Sequence, residues 1–600
     1  MAYGMTGTMD LMMILMMIFM AGFSLAYAAR RARAAARRVL GGSRSAAAAP
    51  GQGAASEVGI RLITGATVWA GPACTPARGW LLVDGDQIAD AGTDGPPPAA
   101  GEVLDLAGGH VLPGFVDVHL HLTQAAWYPH GGDAWGWRGL EDALAAVRAA
   151  AAADPAAPWL LFWDAARWRW PQGRLPTARE LDQAAPGRRV LIATADMHRG
   201  AVSPAGLAAA GLPSHGPARD YGDDITRDRR GLPTGELWEA AFGVALQRAL
   251  TDTQAHAGDG EGAVLAAQAR RCLSLGITHA HDPYVPPGWH QRMLSLRSAT
   301  PLRLSWATGA AAGMHSPAPG PDAAPDGPYG DSGREVKLFA DGGDRCAIQL
   351  PSRAAPGLLR GAIQQSARLR SPGPLREALR RKLIVRPGHV HTPYLRYTDA
   401  DLARLMDAYA GAGVRMRIHA LGNLAGEQAA RLLQQTGVPP ALATIDHLML
   451  LDPVTVDRVA ATGATVSYQP GIIPRYGDML TGMRVDRYAT ILGGRRLLQA
   501  GVPLVLSSDH PSGPVDPLAN LRAAVDRRFA DGELQPDQAL SRPEAVRAAT
   551  ATAAASLGAP GAGGLQPGQP ADLVICDGDP FNPATRVTQT WIAGTVAWSG

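Results

Sequence analysis

The sequence predicts an α/β fold: a TIM-like (β/α)8 barrel joined to a small β-sandwich built from both termini, with an apolar N-terminal helix in front. Three observations predict it. Residues 111–122 read VLPGFVDVHLHL, an apolar run that follows the strand-like start of the segment through a Pro-Gly turn and ends in His119 and His121. Comparable apolar runs recur through the middle of the chain, alternating with helical patterns, and several end in His, Lys or Asp. Both ends of the chain instead carry short β-like runs separated by Gly- and Asp-containing turns.

Taken in order, Leu11 to Ala29 carries no charge and is followed at once by Arg30, Arg31, Arg33, Arg37 and Arg38. Such a run, close to the roughly 20 residues a bilayer needs, can span it as a helix. The arginines then predict a single-pass anchor with the rest of the chain at the cytoplasmic face, or a cytoplasmic protein if the start is misassigned. Ala26-Tyr27-Ala28 resembles a cleavage site, so export through a signal peptide is the alternative, although Asp10 precedes the run without any Lys or Arg. Residues 1–40 form this segment, and 41–57 (GGSRSAAAAPGQGAASE) read as a flexible linker.

Residues 58–110 and 559–600 are the two parts of the expected sandwich, with runs such as Ile60 to Val68, Trp80 to Val83 and Ala571 to Ile575. Between them, 111–558 is the expected barrel. Its candidate strands are Val111–His121, Trp159–Trp163, Val190–Thr194, Ile277–His281, Leu302–Trp306, Glu335–Ala340, Arg415–His419, Ala443–His447, Ala464–Tyr468 and Pro503–Ser508. That exceeds eight, so one or two belong to an insertion, placed at about 124–270, where Trp is frequent and no βα rhythm is evident. Helices such as Asp401–Tyr409 and Leu421–Gln435 suit the outer ring.

Composition narrows the function. Hydrophobic residues make up 46% and charged residues 18% of 600, which suits a well-buried globular enzyme. A formal charge of +3, much of it in the arginine cluster, gives no sign of a nucleic-acid partner. The four cysteines, Cys74, Cys272, Cys346 and Cys576, form no Cys-x-x-Cys pair, which argues against a structural zinc knot or a disulfide framework.

The strand ends carry the chemistry. Residues i and i+2 of a strand share a face, so His119 and His121 can offer two imidazoles to one ion. Lys337, His419, His447 and Asp509 follow at later strand ends. Four histidines, a carboxylate and a lysine suit one or two divalent ions. A lysine amine is a poor ligand unless carbon dioxide has converted it to an anionic carbamate. Inside Val336-Lys337-Leu338-Phe339, an unpaired ammonium would be costly to bury, so modification or pairing is expected. His279 and His281 repeat the His-x-His spacing but are read as structural, and the Trp-rich run Trp159–Trp170 as core or lid packing.

With these residues the chain resembles the amidohydrolase superfamily, specifically its family 3 branch. The segments that carry the resemblance include LPGFVDVHLHL, ATADMHRGAVSPAGL, RDRRGLPTGELWEAA, GITHAHDP, VKLFADGG, IHALGN, IDHLML, VSYQP, LSSDHPSGPVDPL and LQPGQPADLVICD. The resemblance implies metal ligands at His119, His121, carboxylated Lys337, His419 and His447, with Asp509 as ligand and general base. It also matches His198 to a position near the pocket, as a catalytic residue that contacts the substrate and stabilises the developing oxyanion. Asp341, which follows the lysine strand, is placed to orient the site. Two departures stand out: Asn423, where relatives often have Asp, and His510, where a small residue is usual. Both are read as tuning support or substrate choice, with His510 a substrate contact.

The expected activity is metal-dependent hydrolysis of a non-peptide C–N bond in a small molecule, an amide or an N-acyl or N-formyl amine. The expected cofactor is a pair of Zn ions, with Mn, Fe or Co as alternatives. A lactone, ester or cyclic ureide would suit the same centre, and a membrane-tethered protein that binds without turnover is the reading of another class. A homo-oligomer is compatible with the sequence, and membrane association would run through the N-terminal helix.

Overall fold

The computed structural model describes residues 60–600 apart from 94–95, 214–221, 259, 311–312, 315–317, 319, 321–333, 381 and 560. The expected apolar helix, its arginine flank and the linker 41–57 lie outside these residues. Among the described residues, no helix is long and apolar enough to cross a membrane.

Eight parallel strands form the central sheet, in the spatial order of the chain: Phe115–Asp117, Ile277–Val285, Arg303–Thr308, Glu335–Phe339, Arg415–Ala420, Ala443–His447, Thr465–Tyr468 and Leu504–Leu506. Most of their residues are buried, as expected where helices cover the outside of a parallel sheet and side chains fill its inside. The first and last strands are not laced by a regular ladder. They meet just beyond their ends instead, where the Asp509 amide donates to the His119 carbonyl at 2.7 Å and the His121 amide to the His510 carbonyl at 3.0 Å. The barrel is therefore nearly closed, and its seam runs through the candidate ligands.

The outer helices begin and end where their caps dictate. Asp399–Gly411 starts at Thr398, whose hydroxyl accepts the Asp401 amide at 3.2 Å, and it buries Leu402, Met406 and Tyr409. Such a cap is worth about 1 kcal/mol. Asn423–Thr436 ends at Gly437, which takes a left-handed φ of 65°.

Two of the ten candidate strands leave the barrel. Leu160–Ala165 and Val190–Thr194 belong to a separate six-stranded sheet with Gly132–Asp133, Arg199–Val202, Pro233–Trp238 and Ile225–Arg227. It has a core of its own that includes Phe162, Trp170, Leu181 and Ile192. The chain ends meet in a third sheet, in which Leu573–Cys576 pairs antiparallel with His110–Pro113, and that strand runs parallel to part of Arg61–Ala70. Ile63, Val68, Leu81, Val111, Leu573 and Trp591 form its core.

Candidate metal centre

His119 and His121 lie just past the first barrel strand. Buried Asp117 holds this turn, its Oδ1 accepting the His119 amide at 3.1 Å and the Ser508 amide at 3.2 Å. The same carboxylate thus fixes both sides of the barrel seam. Across the seam, Asp509 Oδ1 lies 3.3 Å from His119 Nε2 and 3.3 Å from His121 Nε2. One ligand atom from each of the three residues falls within 4.8 Å of the others, the spacing of donors around a single ion. Asp509 and His447 both adopt left-handed backbone, with φ of 52° and 77°. For residues other than glycine this costs about 1–3 kcal/mol each and aims the side chain away from the strand direction.

His447 and His419 complete the ring of imidazoles, with centroids 4.9 Å apart for His119 and His447 and 4.5 Å for His419 and His447. A small cavity of about 20 Å³ is lined by His119, His121, His198, Lys337, His419, His447 and Asp509 together. Burial pushes His119 well below the ordinary histidine value and His447 down to about 4, so both rings stay neutral, as ligation requires. Burial opposes ionisation of Asp509, but the His121 hydrogen bond and the facing imidazoles outweigh it and hold the carboxyl well below the usual range.

Lys337 is buried and paired. Its Nζ lies 2.5 Å from Asp446 Oδ2, and the same carboxylate faces His119 Nδ1 at 3.1 Å and Arg417 Nη2 at 3.1 Å. Burial lowers the Lys337 amine while Asp446 pulls it back up. The sequence reading missed Asp446 and Arg417, although both were legible. Asp446 directly precedes His447 in a fully buried strand, and Arg417 stands two residues before His419, on the same inward face.

His198 projects from the turn between Val190–Thr194 and Arg199–Val202, so the inserted sheet supplies a side chain to the barrel mouth. Its Nδ1 lies 2.8 Å from Glu239 Oε2, and the Gly343 amide is 3.0 Å from the same nitrogen. A neutral ring could accept from the amide; the closer carboxylate decides for a protonated nitrogen that donates to it. Burial would lower His198, but the Glu239 charge prevails and lifts it to about 9. Glu239 lies in a segment that carried the resemblance, yet no role was read for it.

His510 is not brought to the cluster. Its Nδ1 faces the Gly513 carbonyl at 3.1 Å and its ring packs near Tyr128, so the expected substrate contact finds no geometry here. Asp341 accepts the amides of Leu421, Gly422 and Ala347 at 2.8, 2.9 and 2.8 Å and lies 3.6 Å from His419 Nε2. It shapes the loop that follows the His419 strand. Asn423 accepts the Gln349 amide at 2.8 Å and donates to Asp452. An Asp there would set two carboxylates against each other, which accounts for this departure. His279 and His281 are buried against Ser305, and His281 against Glu335 at 3.0 Å, so they pack the barrel interior. Within the Trp-rich run, Trp159, Trp163 and Trp170 are core, and Trp168 packs on Tyr476 with centroids 5.2 Å apart.

The pattern of the amidohydrolase family matches residues 102–597. The N-substituted formamide deformylase of Arthrobacter pascens is 27% identical over 558 residues, covering 89% of this chain and 96% of that protein. Two solved structures share the fold. A metal-dependent hydrolase from Pyrococcus horikoshii OT3 is 20% identical with a TM-score of 0.60, over 87% of this chain and 98% of the other. A second, from Pyrococcus furiosus, is 18% identical with a TM-score of 0.57, over 87% of this chain and 100% of the other.

Proposed function

The chain belongs to the amidohydrolase family and is a hydrolase of carbon–nitrogen bonds, and we propose that it cleaves an amide or an N-acyl or N-formyl amine at the His119–His121–Asp509 cluster. The observation that carries this reading is the approach of two imidazoles and one carboxylate to within 3.3 Å across the barrel seam. The relative named as a deformylase, and the two metal-dependent hydrolases of like fold, support it.

The donor set fits a divalent ion. Nitrogen and oxygen ligands suit zinc first, with manganese, iron or cobalt as alternatives. His119, His121 and Asp509 would hold one ion, and His419 with His447 would hold a second, joined by Lys337 in carbamate form. Bound there, the metal supplies Lewis acidity, which makes water nucleophilic at neutral pH and polarises a carbonyl.

The remaining work falls to the chain's own groups. Asp509, ionised at neutral pH, accepts the proton that the attacking water loses and returns it to the departing amine nitrogen. His198, protonated against Glu239, donates to the oxygen that gains charge as the carbonyl is attacked. Lys337 meets a constraint from its partner. As an ammonium it neutralises Asp446; as a carbamate it adds an anion beside that carboxylate, with Arg417 the neighbouring cation. Carboxylation is therefore expected only when metal is bound.

Elemental analysis of protein purified without added metal or chelator, followed by Asp509→Asn, tests the reading. Metal is expected in the wild type. With the metal retained, the variant should lose at least about a hundredfold in kcat, the usual share of a general base. Normal turnover by Asp509→Asn would remove that residue from the mechanism, and protein that neither holds nor takes up metal would remove the centre.

A further inference from the structure

A second cavity, of about 270 Å³, is bounded by His198, His447 and Asp509 and continues among aliphatic and methionine side chains such as Leu358, Ala362 and Leu480. Two helices, Ala354–Arg368 and Ile473–Gly482, contribute to its wall. They sit close enough that a Cβ on Gly361 would come within 2.9 Å of the Gly482 carbonyl.

Charges do appear on the wall at Arg167, Asp344 and Glu377, and these are matched: Arg167 lies 2.8 Å from Asp344 and 3.5 Å from Glu377, so this part of the cavity offers little to a charged group. One polar atom stands apart. Tyr476 lines the cavity, is 7% exposed, and among the described residues its hydroxyl has no hydrogen-bond partner. An orphaned buried hydroxyl costs about 1–3 kcal/mol unless something binds it. A ligand in this cavity would do so.

We propose that the amide or N-acyl amine cleaved by this protein bears an uncharged apolar substituent of roughly eight to ten carbons that fills the cavity, while the Tyr476 hydroxyl hydrogen-bonds its amide group. At about 30 Å³ per water-sized group, the space holds roughly nine methylene-sized units. The proposal rests on the hydrolase reading above and narrows it from any amide to lipophilic ones.

The test uses the full chain loaded with zinc. kcat/KM is measured for N-formyl n-alkylamines and for n-acyl methylamines, from one to twelve carbons. Binding of 2-alkanones of matching length, which hold a carbonyl but no bond to hydrolyse, is measured by calorimetry. One of the amide series and the ketone series are expected to improve about fourfold per methylene, the equivalent of ~0.8 kcal/mol, and to level off near nine carbons. Ala362→Phe is expected to bring that plateau to shorter chains. Tyr476→Phe should lower kcat/KM about tenfold at every length and leave the slope unchanged.

Turnover and ketone binding that ignore chain length would overturn the proposal while leaving the hydrolase reading intact. Ketone binding that rises with length, with no turnover of any amide, would overturn the hydrolase reading and leave the lipophilic cavity standing. An unchanged Tyr476→Phe would remove Tyr476 from the proposal.

Discussion

Glu239→Gln isolates the electrostatics of the barrel mouth. It keeps the shape of the side chain that faces His198 Nδ1 at 2.8 Å and removes its charge. In the native protein that charge overcomes burial and lifts His198 to about 9. Compared with an ordinary value of about 6.5, this is roughly 3 kcal/mol in favour of the cation, at about 1.36 kcal/mol per tenfold. Without the charge, burial is opposed by the carboxylates of Asp196 and Asp509 alone, and His198 falls back toward the ordinary histidine value. For a value near 6.5, the protonated fraction at pH 8 drops from nearly all to about one in thirty. kcat/KM measured from pH 5.5 to 10 should show a native alkaline limb near 9. The variant's limb should shift down toward about 6.5, with a deficit of up to about thirtyfold at pH 8 that shrinks as pH falls. The pair also contributes stability through a raised folded-state pKa. That contribution is fully present below about 6.5 and is lost as pH rises through about 9. Identical pH profiles for variant and wild type would refute the role of His198 as a cationic donor.

Two further substitutions probe what supports the centre. Asp446→Asn leaves the buried Lys337 and Arg417 without their shared carboxylate and should cost about 3–5 kcal/mol, seen as a lower thermal midpoint and reduced metal content. In the wild type, native mass spectrometry should detect the mass of one carbon dioxide on the metal-loaded protein and not on the metal-free one; its absence from loaded protein would leave Lys337 as an ion-paired lysine. Gly422→Ala would bring a Cβ to 2.0 Å from the Ala347 carbonyl, in a loop whose amides are fixed by Asp341. A destabilisation of about 1–3 kcal/mol is expected, with weaker metal retention because the loop directly follows the strand that carries His419.

Much of the barrel was legible because its strands are buried on both faces and read as continuous apolar runs between helical patterns. Val190–Thr194 reads the same way, which is why strand count alone could not place it. Its partner across the next turn, Arg199–Val202, is four residues long and is followed by the antiparallel Pro233–Trp238, a connection with no periodic signal in the sequence. The candidate ligands were legible because each lies within or just beyond an apolar strand of the barrel. His510 follows Asp509 in the sequence but takes another direction: after the left-handed φ of 52° at Asp509, its Nδ1 faces the Gly513 carbonyl. Glu239 and Tyr476 sit on helices, where nothing in their spacing announces a task. Their importance comes from what the fold brings opposite them.

The seam of the barrel has a consequence for how this protein is made. His119 and His121 leave the ribosome early, with the first strand, and Asp509 arrives only after the eighth. The amide of Asp509 then bonds to the carbonyl of His119, so closing the ring and gathering these three side chains are one event. Until the eighth strand docks, the two imidazoles lack the carboxylate that faces them in the finished barrel.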